Sequence, residues 1–421
     1  MTYFKPPTPP ESLEETGLDQ TFLIGLAAKI MNALGIMTPA RLADEIKLPR
    51  PLARKLVEEM QHLSLVESHG LVSHGDIRSD IRYGLTDRGK AWAADAMLAS
   101  QYVGPAPVTL QAFRDQVALQ SITHEEVHRD KLEKALGKLV LPGDLIMQLG
   151  PAVNSARSVL LYGEAGNGKT SIAEALGSTL EDTLYFPHAI IVGGQMIKFY
   201  DETIHELVDR PDPETPLDPR WVACKRPVAV TGGELTLEML DLIFDRSSRF
   251  YEAPVHLKAV GGVFVVDDFG RQVNTPQQLL NRWIVPLERG FDMLSLHTGQ
   301  KFQVPFDQLV IFSTNMMPEE MADAAALRRL YFKIFVPSPT KEDYLEIFRR
   351  VCEDENQEYP EDDIARFYKR VYEDGNLVTS GAHPGFLFKH VEAACAFRGV
   401  PTELTPEMLD LAWKNVAATQ R

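Results

Sequence analysis

Cysteine is nearly absent, with three among 421 residues, at Cys224, Cys352 and Cys395, far apart and without metal-ligand spacing. This excludes a disulfide framework and a cysteine-based zinc site, and points to a reducing compartment. Long apolar runs are missing as well. The most apolar stretch, 22–37, is interrupted by Lys29 and Asn32 and falls short of the about 20 residues that a spanning helix needs. An export signal is not expected, because 5–15 carries prolines and acids where a signal has a basic and then an apolar segment. A cytoplasmic chain without membrane insertion is the expectation. Positive charge is also in deficit: 43 Lys and Arg stand against 59 Asp and Glu, a net charge of −16. That balance argues against a protein that coats nucleic acid or anionic membrane through its overall field.

What is present is an ordinary globular balance, 44% hydrophobic and 24% charged, on a chain long enough for two or three domains. Pro6, Pro7, Pro9 and Pro10 predict a flexible tail over 1–17. Residues 18–100 then read as short amphipathic elements. A first helix covers 22–34 and ends near Gly35. Thr38 caps a second, which has Pro39 at its first position and runs to Ile46. Leu52, Leu56 and Met60 share one face of a third. A strand at Leu65-Val66, a polar loop through Gly70 and Gly75, a strand over 82–85 and a helix over 87–99 capped by Thr86 follow. This order resembles a winged helix-turn-helix module, and Leu85-Thr86-Asp87-Arg88-Gly89-Lys90 is similar to the turn after the wing in such domains. Gly104, Pro105 and Pro107 mark a junction, and 101–126 reads as a linker containing some helix. From 127 onward, apolar runs at 159–162, 189–192, 263–267, 309–314 and 332–336 alternate with helical segments, which predicts an α/β fold with a parallel sheet covered on both faces. Pro337 and Pro339 close that region near 340, and 341–421 is mostly helical.

The chemistry concentrates at Gly163-Glu164-Ala165-Gly166-Asn167-Gly168-Lys169-Thr170, followed by Ser171, which fits the pattern GxxxxGK[ST]. The glycines let backbone amides wrap a phosphate at the positive end of the following helix. Lys169 would reach the β- and γ-phosphates, and the Thr170 hydroxyl would bind Mg²⁺. The second motif is Val263-Phe264-Val265-Val266-Asp267-Asp268, four apolar residues and two carboxylates at a strand end. Asp267 is the expected Mg²⁺ partner, and Asp268 is placed to polarise an attacking water.

Together these motifs resemble the AAA+ ATPases. Leu309-Val310-Ile311-Phe312-Ser313-Thr314-Asn315 looks like that family's sensor-1 strand, with Asn315 as the polar residue that orients the water. Ala324-Ala325-Ala326-Leu327-Arg328-Arg329-Leu330 is similar to the helix end that carries its arginine finger, and both Arg328 and Arg329 remain candidates. The resemblance covers 127–420. It implies a doubly wound ATPase core over 127–340, a C-terminal helical lid over 341–421, ATP and Mg²⁺ as cofactors, and a homo-oligomeric ring, a hexamer, that hydrolyses ATP to remodel a protein client. Asp268 departs from the family's usual glutamate. Some members, bacterial replication initiators among them, resemble this Asp-Asp arrangement, so slow hydrolysis is expected. The sensor-2 arginine is missing from 380–389, which leaves His383 and Lys389 as weak candidates. Val260-Gly261-Gly262 and Thr298-Gly299-Gln300-Lys301-Phe302 look more like the enhancer-binding and MoxR-like branches. Lys198-Phe199-Tyr200 stands where hexameric motors carry a pore loop, although ordinary packing is the better reading, and 231–252 reads as a helical insertion whose Leu235, Leu237, Leu240 and Ile243 are core. Residues 18–100 hold ten basic and ten acidic side chains, with Glu58 and Glu59 on the would-be recognition helix. A DNA reader usually shows a basic footprint, so protein docking is favoured over DNA. The alternative is an ATP-regulated DNA-binding transcription regulator. A P-loop kinase is disfavoured, because the sensor and finger register implies water as acceptor.

Overall fold

The computed structural model describes residues 4–71, 81–210 and 212–417. Near the N-terminus come helices Gln20–Leu34, Pro39–Ile46 and Arg50–His62, an antiparallel pair Val66–Leu71 with Ile81–Leu85, and helix Asp87–Ala99. Asp19, Thr38 and Thr86 each accept a hydrogen bond from the backbone N–H three residues on, which satisfies a donor that the helix itself cannot. Leu52, Leu56 and Met60 join Leu23, Leu26 and Ile30 in one apolar cluster, while Arg50, Arg54 and Lys55 stay exposed. The loop position Gly75 lies outside the described residues, as do 1–3 of the expected tail and 418–421 of the expected lid.

Two segments differ from expectation. Residues 4–17 are no loose tail: Phe4, Leu13 and Thr16 are buried, and the Arg226 guanidinium lies over the Phe4 ring at 5.6 Å. The Pro7 carbonyl accepts from the Asp218 N–H, and Arg220, paired with Asp218 at 2.7 Å, donates to the carbonyls of Thr16 and Pro107. Proline forbids helix and sheet, yet its fixed φ also leaves less entropy to lose when an extended strap is laid onto a surface. Residues 101–126 contain the expected helix but are packed into the fold and do not form a loose linker. Val108–Thr109 pairs in parallel with Ala189–Val192, and Thr109 caps helix Leu110–Leu119, whose Phe113 and Val117 are buried.

The central sheet has five parallel strands in the order Phe332–Phe335, Val159–Tyr162, Leu309–Thr314, Val263–Val266 and Val228–Thr231. Alternation along each strand sorts its residues between two layers. Val159, Leu161, Val263, Val265, Leu309 and Ile311 pack against helices Gly143–Asn154 and Lys169–Ser178. Leu160, Phe264, Val266, Val310 and Phe312 face Leu279 and Trp283 of helix Pro276–Arg289.

The run 189–192 is not one of these strands. Gly193 and Gly194 both have positive φ, 55° and 75°, and this two-residue turn folds it back antiparallel onto Gln195–Lys198. The hairpin belongs to a second sheet, with Ile243–Asp245, Phe250–Glu252 and Val108–Thr109. Its place in the central sheet is taken by Val228–Thr231. Residues 231–252 are likewise not a helical insertion: they form a 3₁₀ turn, Glu238–Leu240, and the strands Ile243–Asp245 and Phe250–Glu252. Leu235 and Leu240 are fully buried, but Ile243 is exposed. Beyond 340, helices Lys341–Asp354, Glu361–Tyr368, His383–Arg398 and Pro406–Val416 gather around Tyr344, Phe348, Leu387 and Leu409. Among the described residues, no helix is long and apolar enough to cross a membrane.

Candidate functional site

Strand order decides the site. Because Leu309–Thr314 lies between Val159–Tyr162 and Val263–Val266, the carboxyl ends of three adjacent strands deliver the glycine-rich loop, Asn315 and the Asp267-Asp268 pair to one edge of the sheet, where open α/β sheets bind ligands. The loop leads into helix Lys169–Ser178. Gly163 and Gly166 have φ of 139° and 80°, which side-chain-bearing residues rarely adopt; a Cβ at Gly163 would also fall 2.4 Å from the Val336 carbonyl oxygen, and one at Gly166 would push aside Ser380 Oγ, 2.4 Å away.

Lys169 is buried. Its Nζ donates to the carbonyls of Gly163 at 2.9 Å and Glu164 at 2.8 Å, and to Asn315 Oδ1 at 2.7 Å. Burial holds its pKa below the usual lysine value, opposed by the nearby negative charge of Asp267, Asp268 and Glu164. Thr170 Oγ1 donates to Asp267 Oδ2 at 2.8 Å. Asp268 has a left-handed backbone, φ 47°, in a tight turn closed by the Arg271 N–H donating to its carbonyl. Aspartate and asparagine tolerate this region better than longer side chains do, which gives a physical reason for the shorter acid here.

A cavity of about 520 Å³ joins these groups. Ala165, Gly166, Asn167, Gly168, Lys169, Thr170 and Ser171 line it together with Asp267, Asp268 and Asn315; Gly163 and Glu164 take part through their carbonyls. The opposite wall includes Gly381 and Ala382, within the stretch 380–389 singled out for sensor 2, together with 138–141, Ile347, Arg350 and Asp354, which were not foreseen. Arg350 is fixed by Glu346 at 2.7 Å and by the Gly137 carbonyl at 2.8 Å. Leu139-Val140-Leu141, a short apolar run just before Pro142, was the one available signal for the 138–141 part of this wall; Arg350 has none, being one charged position on a charged helix.

The remaining candidates separate cleanly. Arg329 is largely buried and pairs with Glu288 at 3.0 Å, whereas Arg328 is exposed. His383 is buried, 2.7 Å from the Tyr372 hydroxyl and stacked on its ring, and Lys389 pairs with Glu355 and Glu392. Neither reaches the cavity. Phe199 is fully buried between Phe113 and Phe186, and Tyr200 stacks on His205, so this pair packs and presents no loop.

A family model described as a domain of unknown function (DUF8689) matches residues 340–415, the C-terminal helices. No curated protein matches the sequence. Among solved structures, the chain is similar to the Thermotoga maritima RuvB Holliday junction branch migration motor, with 12% identity, TM-score 0.37, and coverage of 70% of this chain and 72% of that one. It is also similar to domain III of the Thermotoga maritima replication initiation protein DnaA, with 12% identity, TM-score 0.37, and coverage of 67% and 96%. NtrX from Brucella abortus in complex with ATP gives 13% identity, TM-score 0.38, and coverage of 76% and 62%.

Proposed function

We propose that this chain is an AAA+ ATPase that binds Mg·ATP in the cavity at the carboxyl edge of the central sheet, hydrolyses it in a homo-oligomeric ring, and uses the cycle to remodel a protein client. The observation that carries this reading is the convergence of Lys169, Asn315 and the Thr170–Asp267 pair from three adjacent strand ends. The donor set suits magnesium, a hard cation that takes one or two carboxylates alongside phosphate oxygens. Thr170 and Asp267 would hold it, and when bound it would neutralise phosphate charge.

The chain's own groups do the rest. Amides of 165–170 cradle the phosphates at a helix N-terminus. The Lys169 ammonium, now shared among three oxygens, has the donors to follow the terminal phosphate. Asp268 accepts a hydrogen bond from the attacking water and Asn315 orients it. The exposed Arg328 is the residue free to reach a neighbouring subunit's nucleotide, while Arg329 holds the helix end in place. Residues 138–141, Ile347 and Arg350 enclose the nucleoside end, so hydrolysis can be felt by the C-terminal helices. The N-terminal module serves as the client-docking domain.

A second reading rests on Arg50, Arg54 and Lys55, which are exposed at the start of helix Arg50–His62 while its apolar face is buried: the winged helix selects a DNA site, and ATP controls assembly. Calorimetry with Mg·ATP on the full chain and on Lys169→Ala tests the common core, and equal affinity for both proteins would end it. Turnover stimulated by duplex DNA, with binding that falls steeply with salt, would favour the regulator.

A further inference from the structure

A second cavity, of about 480 Å³, lies between helices Gln20–Leu34 and Asp87–Ala99 and the hairpin carrying Gly194 and Met196. That volume is in the range of small-molecule sites, and the proposed hydrolysis makes no use of it. Phe22, Leu26, Trp92, Ala96 and Met196 supply an apolar interior. Gly25 lets the two helices approach closely along one side of it, since a Cβ there would come 3.3 Å from Ala96 Cβ.

Lys29 is the anomaly in this wall. It is only 5% exposed, in a helix otherwise buried through Leu23, Ile24, Leu26, Ala27 and Ile30. Its Nζ donates to the Ser100 carbonyl at 2.9 Å, which leaves two of its three donors, and it makes no ion pair among the described residues. Burial pushes its pKa down to about 8. An enclosed ammonium without a counter-charge is costly, and packing alone would be served as well by methionine.

We propose that this cavity binds an apolar monocarboxylate, arylalkanoic or medium-chain aliphatic, with its carboxylate on Lys29 and its body against Phe22, Trp92 and Met196. Among the described residues, Lys29 is the one cation lining this cavity, which also carries the exposed Asp19 and Asp95 at its wall, so a dicarboxylate or phosphate ester would bring a second charge with no cation to meet it. Because the walls come from both the N-terminal helices and the second sheet, the bound acid ties the N-terminal module to the rest of the chain.

The test is calorimetry on the full chain with 3-phenylpropionate and octanoate, each against its neutral amide. The acids should bind and the amides bind at least tenfold more weakly, the loss expected for a charge-assisted hydrogen bond. Lys29→Met should weaken acid binding to the level of the amides while raising the unfolding temperature. Ala99→Trp, at the exposed rim, should block the acids with Lys29 in place. The proposal is overturned if neither acid binds at millimolar concentration, if acid and amide bind alike, if folded Lys29→Met retains acid affinity, or if Ala99→Trp binds the acids undiminished.

Discussion

The adjacent arginines 328 and 329 should come apart under mutation, one in catalysis and one in stability. Arg329 is 14% exposed and its partner Glu288 47%, at 3.0 Å. Half-exposed pairs are screened by solvent, so the ion pair contributes about 1 kcal/mol. Arg329 also donates to the Ala325 carbonyl and its own carbonyl accepts from Ser158 Oγ at 2.8 Å; the second bond survives truncation and the first does not. Arg329→Ala should therefore lower core stability by about 1–2 kcal/mol and leave turnover per folded protomer close to normal. Arg328→Ala removes an exposed side chain, so stability should change by less than about 0.5 kcal/mol, yet turnover should fall by about 10³-fold or more if this cation serves a neighbour's nucleotide. Urea unfolding and steady-state phosphate release at concentrations that permit assembly measure the two effects. Mixing Arg328→Ala with Lys169→Ala should restore part of the activity, because one protomer keeps the site and the other keeps the cation. Full activity in Arg328→Ala, or loss of activity in a stable Arg329→Ala, would refute the division of roles. Absence of recovery in the mixture would refute action across subunits.

Further outcomes follow from the same geometry. Asp268→Asn should keep Mg·ATP affinity in calorimetry and lose turnover; Asp268→Glu, despite supplying the acid usual in the AAA+ proteins that the motifs resemble, should cost roughly 1 kcal/mol because the position is left-handed, and a more stable Glu variant would contradict this. Gly163→Ala should lose nucleotide affinity and stability together, since its Cβ meets the Val336 carbonyl, and an unchanged variant would show that the strand end can give way. His205 should make the fold acid-sensitive. Its Nδ1 accepts from the Asp201 N–H and its Nε2 meets the Lys258 carbonyl, so the buried neutral ring has no room for a second proton, and burial holds its pKa near 4, down from 6.5. The unfolded chain takes up the proton first, so stability is full above pH 6.5 and declines towards pH 4, by at most about 3 kcal/mol. Urea midpoints of His205→Gln should show a shallower decline over that window, and parallel curves would remove His205 as a cause.

Much of this was readable from local chemistry. Thr38 and Thr86 announce helices because a cap needs only its own side chain and the N–H three residues on. The glycines at 163 and 166, Lys169 and the two carboxylates after Val266 stand within a few residues of the strands that present them. What depends on distant partners was not readable. Nothing nearby in sequence indicates that Val228–Thr231 completes the central sheet, or that 189–192 leaves it, because strand pairing is fixed by neighbours that the fold alone assembles. The strap over 4–17 looked loose because prolines exclude regular structure, but its order comes from Arg226 and Arg220, some two hundred residues away. So it is with the two arginines. Their sequence context is the same, and only Glu288, brought alongside by helix Pro276–Arg289, makes one of them structural. The sequence determined which groups could bind a phosphate and a metal, since those motifs are short-range. Tertiary structure decided which of them meet, what encloses them, and that Lys29 stands uncompensated in a cavity, because proximity between remote segments exists only once the chain has packed.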